Sequence, residues 1–310
     1  MQEKRNKRLA IIFVVLCCLT LATYFAGRSN GTVEVDKNLF KDFDLNNIDQ
    51  VTLASRKGNV VLKFNGSKWT VNEQFNADAS MIQVLFATLQ QAEPKRPVSH
   101  SISDSVSRRL KEDGVHVSLS SSGVEELSFF AGGNEKKTQA FFCFDGADAT
   151  PYIMSIPGYR VYVAGIFEVP ESEWKDKLVF GFNWRNFESL EAAFPQSQDQ
   201  GVKVSMRDNY FGIEGIASVD TARLNQFLDD VSLLTAVHFV DQPIFGDSST
   251  PPATISITVR DIAQRTYTLD LFQPAGTAKN IPGLINGKQW AFFQPERVQE
   301  IVRKRSFFSK

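Results

Sequence analysis

One pattern runs twice along this chain, and it constrains the fold more than any other feature. Val51-Thr52-Leu53 reads as a short strand and Arg56-Lys57-Gly58-Asn59 as a turn. Val60-Val61-Leu62-Lys63-Phe64 alternates as a half-buried strand does. Asn65-Gly66 is a hairpin turn signal, after which Trp69-Thr70-Val71 returns. Asp78 stands where a helix cap belongs, ahead of an apolar face of Met81, Ile82, Leu85, Phe86 and Leu89; Pro94 and Pro97 end that helix. A shift of 142 residues places Leu62 and Phe64 on Val204 and Met206, Trp69 and Val71 on Phe211 and Ile213, and Asp78 on Asp220. It also places Ile82, Leu85, Phe86 and Leu89 on Leu224, Phe227, Leu228 and Val231. The shift runs without a gap from Leu45/Phe187 to Val98/Val240.

The later parts correspond with looser spacing. Val115–Leu119 resembles Ile255–Val259, Leu127–Phe129 resembles Tyr267–Leu269, and Tyr159–Val163 resembles Lys288–Phe292. Each copy closes on basic and then apolar residues, at 175–180 and 303–308. These correspondences predict an α+β chain with two repeats, 41–183 and 184–310, each an antiparallel sheet packed with helices.

Residues 1–8 form a basic tail with Lys4, Arg5, Lys7 and Arg8, and residues 9–26 form an uncharged apolar run. As a helix that run rises roughly 27 Å, at the lower limit for a hydrocarbon core. The expectation is an N-terminal transmembrane helix acting as signal anchor, single-pass in a bacterial inner membrane. The N-terminus would be cytoplasmic, a tether would cover 27–40, and the main domain would be periplasmic. A cleaved signal peptide competes, with Thr20 and Ala22 at the cleavage positions.

A net charge of −1, with no basic stripe beyond the N-terminus, excludes nucleic acid as a partner. Of three cysteines, two lie in the apolar run, so Cys143 has no partner for a disulfide and reads as buried and inert. The core must therefore be hydrophobic, and 26 phenylalanines supply it.

No constellation for chemistry emerges. His100 and His238 follow the helix at nearly matching places, but neither has Cys, Asp or Glu at ligand spacing, and His116 alternates toward solvent between Val115 and Val117. Asp145-Gly146-Ala147-Asp148 lacks the ligand pattern of a calcium loop. Glu125-Glu126 and Asp229-Asp230 are adjacent pairs whose members diverge, and they read as solvated faces. Ser118–Ser122 and Gly132-Gly133-Asn134 read as turns. No catalytic, cofactor-binding or metal residue is assigned, no cofactor is expected, and the chain is read as non-enzymatic.

Ile48-Asp49-Gln50-Val51-Thr52-Leu53, the hairpin 61–71, Ala77-Asp78 and Trp174-Lys175-Asp176-Lys177-Leu178-Val179-Phe180 resemble domain-of-unknown-function family 4340. The likeness covers most of the chain from Asp42 on and extends to the N-terminal helix. The second copy departs from it: it lacks the Trp, and Leu190-Glu191-Ala192-Ala193-Phe194 is a poorer strand. The resemblance implies a membrane-anchored bacterial envelope protein, an accessory to a membrane-protein complex such as an ABC-type permease. It carries no catalytic residues. The alternative readings are a binding module for an envelope glycan or small molecule, seated in a cleft between the repeats, and, more distantly, a hydrolase.

Overall fold

The structure, a computed structural model, describes residues 2–28, 35–41, 43–146, 149–207, 210–245, 250–274 and 279–310. The chain opens with helix α1 (Gln2–Arg28), then strands β1 (Gln50–Ser55), β2 (Gly58–Phe64), β3 (Trp69–Val71) and β4 (Phe75–Asn76). Next come α2 (Ala79–Gln91), β5 (Glu93–Pro97), α3 (His100–Asp113), β6 (Val115–Ser121), β7 (Val124–Gly133), β8 (Ala140–Phe144), β9 (Tyr152–Ser155) and α4 (Glu171–Trp174). The chain continues through β10 (Phe187–Ala193), β11 (Val202–Arg207), β12 (Tyr210–Ile213), α5 (Thr221–Ser232) and β13 (His238–Val240). It ends with β14 (Ile255–Asp261), β15 (Thr266–Leu271), β16 (Ile281–Ile285), β17 (Gln289–Phe293) and α6 (Pro295–Ile301). Two compact units result: residues 1–59 with 84–168, and residues 60–83 with 169–310.

The expected transmembrane signal anchor over 9–26 is corrected. Among the described residues no helix is long and apolar enough to cross a membrane. Helix α1 combines its apolar residues with the charged Glu3, Lys4, Arg5, Lys7 and Arg8 of its first turns and with Arg28 at its end. The hydroxyls of Thr20 and Thr23 fold back onto the carbonyls of Leu16 and Leu19 within it. The assignment to a bacterial inner membrane, with a cytoplasmic N-terminus and a periplasmic domain, rested on that anchor and falls with it.

In the first unit β1-β6-β7-β8-β9-β5 follow in that order in an antiparallel sheet. Val115, Val117 and Leu119 of β6 face its core with Phe129 and Ala131 of β7. Phe40 closes that core: it is 3% exposed, stacks on Phe144 at 4.4 Å between ring centroids and meets Phe129 edge-on at 5.6 Å. The segment read as a tether over 27–40 therefore ends on a core residue, while its residues 29–34 lie outside the described part. Burial of a ring of this size stabilises by about 1.5–3 kcal/mol. Helix α3 packs on this sheet through Val106 and Leu110, one turn apart.

In the second unit eight antiparallel strands take the order β12-β11-β10-β14-β15-β16-β17-β13. Leu224, Phe227, Leu228 and Val231 of α5 are buried, the face expected from their spacing. Leu190–Ala193, read as a poor strand, lies in the interior strand β10, paired on one side with β11 and on the other with β14. Central position outweighs the weak strand propensity of its alanines.

The sheet order β1-β6-β7-β8-β9-β5 and the order β10-β14-β15-β16-β17-β13 have the same connectivity. The hairpin β2–β3 pairs Leu62 with Val71 and Phe64 with Trp69; β11–β12 pairs Val204 with Ile213 and Met206 with Phe211. Asp78 accepts from the backbone N–H groups of Ser80 and Met81, and Asp220 from those of Ala222 and Arg223. The Asp78 N–H donates to the Trp174 carbonyl and the Asp220 N–H to the Phe308 carbonyl, both at 2.8 Å. Trp174 and Phe308 are both fully buried, so each copy is closed by a large ring at the same place. One detail differs from the ungapped shift. Val51 pairs with Leu119 and Leu190 with Val259, so β1 matches β10 at 190 − 51 = 139 residues. Between β10 and β11 the offset grows from 139 to 142, so three extra residues are taken up there, and the connection itself, 194–201, is eight residues long against two, 56–57, between β1 and β2.

Candidate functional site

The positions singled out in the sequence do not form a site. His100 opens α3 and is exposed; His238 is exposed on β13, its ring 5.0 Å from that of Phe292. His116 alternates away from the buried Val115 and Val117 as expected but is only half-exposed: its ring packs 4.7 Å from that of Phe130, and Nε2 is buried without a hydrogen-bond partner. The large side chain opposite it on β7 covers the ring. Among the described residues no three His, Cys, Asp or Glu side chains group so as to hold a metal ion. Of the loop 145–148, residues 147 and 148 lie outside the described part; Asp145 accepts from the Gly146 N–H. Glu125 accepts from Ser118, and hydrogen bonds from Ser118 and Ser128 hold its carboxyl below the usual range. Asp230 accepts from Gln226. Cys143 is fully buried, with Sγ 3.3 Å from the Ala149 carbonyl.

Gly132 and Gly133, read as a turn, belong to the end of β7; the turn proper starts at Asn134, whose Oδ1 accepts from Thr138 and Gln139. The glycines make room for neighbours. The Tyr162 ring lies against Gly133, its hydroxyl donates to Glu168 Oε1 at 2.5 Å, and Lys137 pairs with the other oxygen of Glu168. Burial first, then the bond and charge of Glu168, push the Tyr162 hydroxyl well above its ordinary value. This cluster ties the loop after β9 to the sheet.

Several clefts open on the second unit, and two of them exceed 400 Å³. The larger, about 670 Å³, lies along β10 and β11, and its charges offset one another: Glu191, Asp199 and Glu214 stand against Lys203 and Arg305, with Lys203 3.2 Å from Glu191. The other, about 470 Å³, is lined by Lys68, Lys175, Arg265 and Lys288 against a single acid, Asp176. Phe75, Phe239 and Tyr267 wall it, with the amides of Gln74, Asn76, Asn286 and Gln289. Net cationic lining and half-buried rings make it the better ligand site.

Local chemistry fixes each cation there. Lys68 ends the β2–β3 turn, where Asn65 Oδ1 accepts from the N–H groups of Ser67 and Lys68 and Gly66 takes φ +90°. Lys288 ends the β16–β17 turn, where Asn286 and Gly287 both take positive φ and Asn286 is tied to Thr268 through N–H and Oδ1. Arg265 closes the β14–β15 turn: its N–H and Nε donate to the fully buried Asp261, at 2.9 and 2.7 Å. Burial pushes the Asp261 carboxyl up, but the hydrogen bonds from Arg265 outweigh it and leave the group below its ordinary value. Lys175 is 3% exposed, pairs with Glu171 at 2.9 Å and lies 4.1 Å from the centre of the Phe75 ring. Sequence reasoning missed this site because its cations are far apart in the chain and each sits beside a turn or strand signal that explains it locally. No protein-family model, curated protein or solved structure matches the chain.

Proposed function

We propose that this chain is a non-enzymatic binding module: two copies of one α+β unit, 41–183 and 184–310, with a small-molecule or glycan ligand held in the 470 Å³ cleft. The lining carries the reading. It offers cations, amides and ring faces, and its one acid, Asp176, accepts from the Leu178 N–H at 3.0 Å. Such groups hold a ligand in place. The duplication is supported by the shared strand connectivity, the matched hairpin registers and the paired caps Asp78 and Asp220. A thermal-shift screen of the full chain against oligosaccharides and small organic acids tests the binding. At least one compound should raise the melting temperature of the parent protein and not that of Asn76→Trp, which fills the cleft. Equal shifts in both proteins would refute the site.

A second reading, an accessory to a larger complex, is favoured by exposed apolar side chains around Phe211. Trp184 and Met206 flank Phe211 and are 42% and 40% exposed: the Trp184 ring lies 5.0 Å from that of Phe211, and Met206 stands opposite Phe211 on the neighbouring strand. Exposed Trp, Tyr and Met are the residues enriched where proteins dock. The partner expected from the resemblance read in the sequence would be a transporter-type complex. Crosslinking in cells tests it: one protein should be captured by the parent chain and lost with a Trp184→Ala/Met206→Ala variant, and identical capture by both would count against it.

A further inference from the structure

We propose that the ligand of the 470 Å³ cleft is multiply anionic, bearing at least two phosphate, sulfate or carboxylate groups, and that Lys68 and Lys288 hold them with help from Arg265. The inference rests on the binding-module reading above and names its ligand class. The charges inside the cleft decide the matter. Lys175 is already neutralised by Glu171, and the Nε edge of Arg265 is neutralised by the buried Asp261. Lys68 and Lys288 remain, and among the described residues neither has a carboxylate within ion-pair distance. Against them stands only Asp176, with one oxygen turned to the backbone. Two lysines fixed by two separate hairpin turns face one cavity, and each suits one anionic group.

Arg265 adds a shaped donor. Asp261 holds its Nε while 60% of the side chain stays exposed, which aims the terminal nitrogens outward with little freedom left to lose. The Lys175 ammonium over Phe75 forms a buried floor, and Tyr267 and Phe239 offer half-buried ring surface to the body of the ligand. A simple surface of lysines has neither the floor nor the walls.

Isothermal titration of the full chain tests the class, with pyrophosphate, citrate and a sulfated disaccharide as anionic probes and sucrose as the neutral one. At least one anionic probe should bind the parent protein. Its affinity should fall about tenfold or more in Lys68→Ala/Lys288→Ala, stay within a few-fold of the parent value in Lys68→Arg/Lys288→Arg, and weaken with added salt. Which probe binds best separates phosphate, carboxylate and sulfate sources. Anionic binding unchanged in the double alanine variant would overturn the proposal. Binding of sucrose alone, lost in Asn76→Trp, would overturn the anionic ligand and leave the binding module standing. No binding by any probe would overturn the anionic class; the binding module would then stand or fall on the wider thermal-shift screen. Both lysines sit in exposed turns, so the variants are expected to melt with the parent protein.

Discussion

Gly133 is a position where a single methyl group should cost much for its size. It is the last residue of β7, and a Cβ built there stands 2.6 Å from Cζ of Tyr162, about an ångström inside carbon–carbon contact. Neither side yields easily. The backbone of Gly133 pairs with Ala140, and the tyrosine is held by its bond to Glu168, itself paired with Lys137. Gly133→Ala therefore either strains the packing or expels the ring, at about 1–3 kcal/mol. Relief of glycine's backbone entropy returns about 0.5–1 kcal/mol, leaving a net loss of up to about 2.5 kcal/mol. Gly212 in β12 is the control, since a Cβ there meets nothing within 4 Å; Gly212→Ala should be neutral or stabilising. Urea unfolding followed by circular dichroism measures both. The decisive comparison is Gly133→Ala in a Tyr162→Ala background, where the penalty should vanish because the clash has gone. A Gly133→Ala protein as stable as its parent, or an equal penalty in both backgrounds, would show that the ring does not determine this glycine.

Two further outcomes follow from the same geometry. Asp78→Ala and Asp220→Ala each remove a side chain that accepts from two helix N–H groups; each should cost about 1 kcal/mol, and losses differing by more than about 1 kcal/mol would argue against equivalent caps. The Tyr162 hydroxyl titrates above its ordinary value because of burial and Glu168. Since the folded protein then keeps a proton that the unfolded chain releases near pH 10, stability is complete below about pH 10 and falls as pH rises beyond it. Tyr162→Phe should flatten that alkaline decline in urea titrations at several pH values, and an unchanged decline would refute the assignment.

Much of the fold was legible because its determinants are local. Asn65-Gly66 and Asp78 act on residues two or three positions away, and the alternation of β2 reports its own buried face. Three elements escaped for reasons that lie outside any short window. Pro94 and Pro97 were read only as the end of a helix, which does stop at Gln91, but they also form β5, the outer strand beside β9, with a bulge between Pro94 and Arg96. Proline is tolerated at a sheet edge, where its missing N–H leaves no ladder bond unmade. Helix α3 escaped because only Val106 and Leu110 are buried in fourteen residues. Phe40 looked like part of a tether because its rings of contact, Phe129, Phe142 and Phe144, lie about a hundred residues away.

The contrast between the two copies explains why the scaffold was readable and the site was not. Strand registers, caps and closing rings match across the copies, so each copy reinforces the pattern of the other. The turns do not match. The β14–β15 turn carries Asp261 and Arg265, whereas the β6–β7 turn at the same place is the neutral pair Ser122-Gly123. The β2–β3 turn carries Lys68, where the shift of 142 places Tyr210, 78% exposed. Turns bear little of the packing energy and are free to differ, so the residues that line a ligand cleft accumulate there. A search for repeated patterns finds what the copies share. The cationic cleft is made of what they do not share, and it appears only when three hairpin turns are brought together by the sheets that hold them.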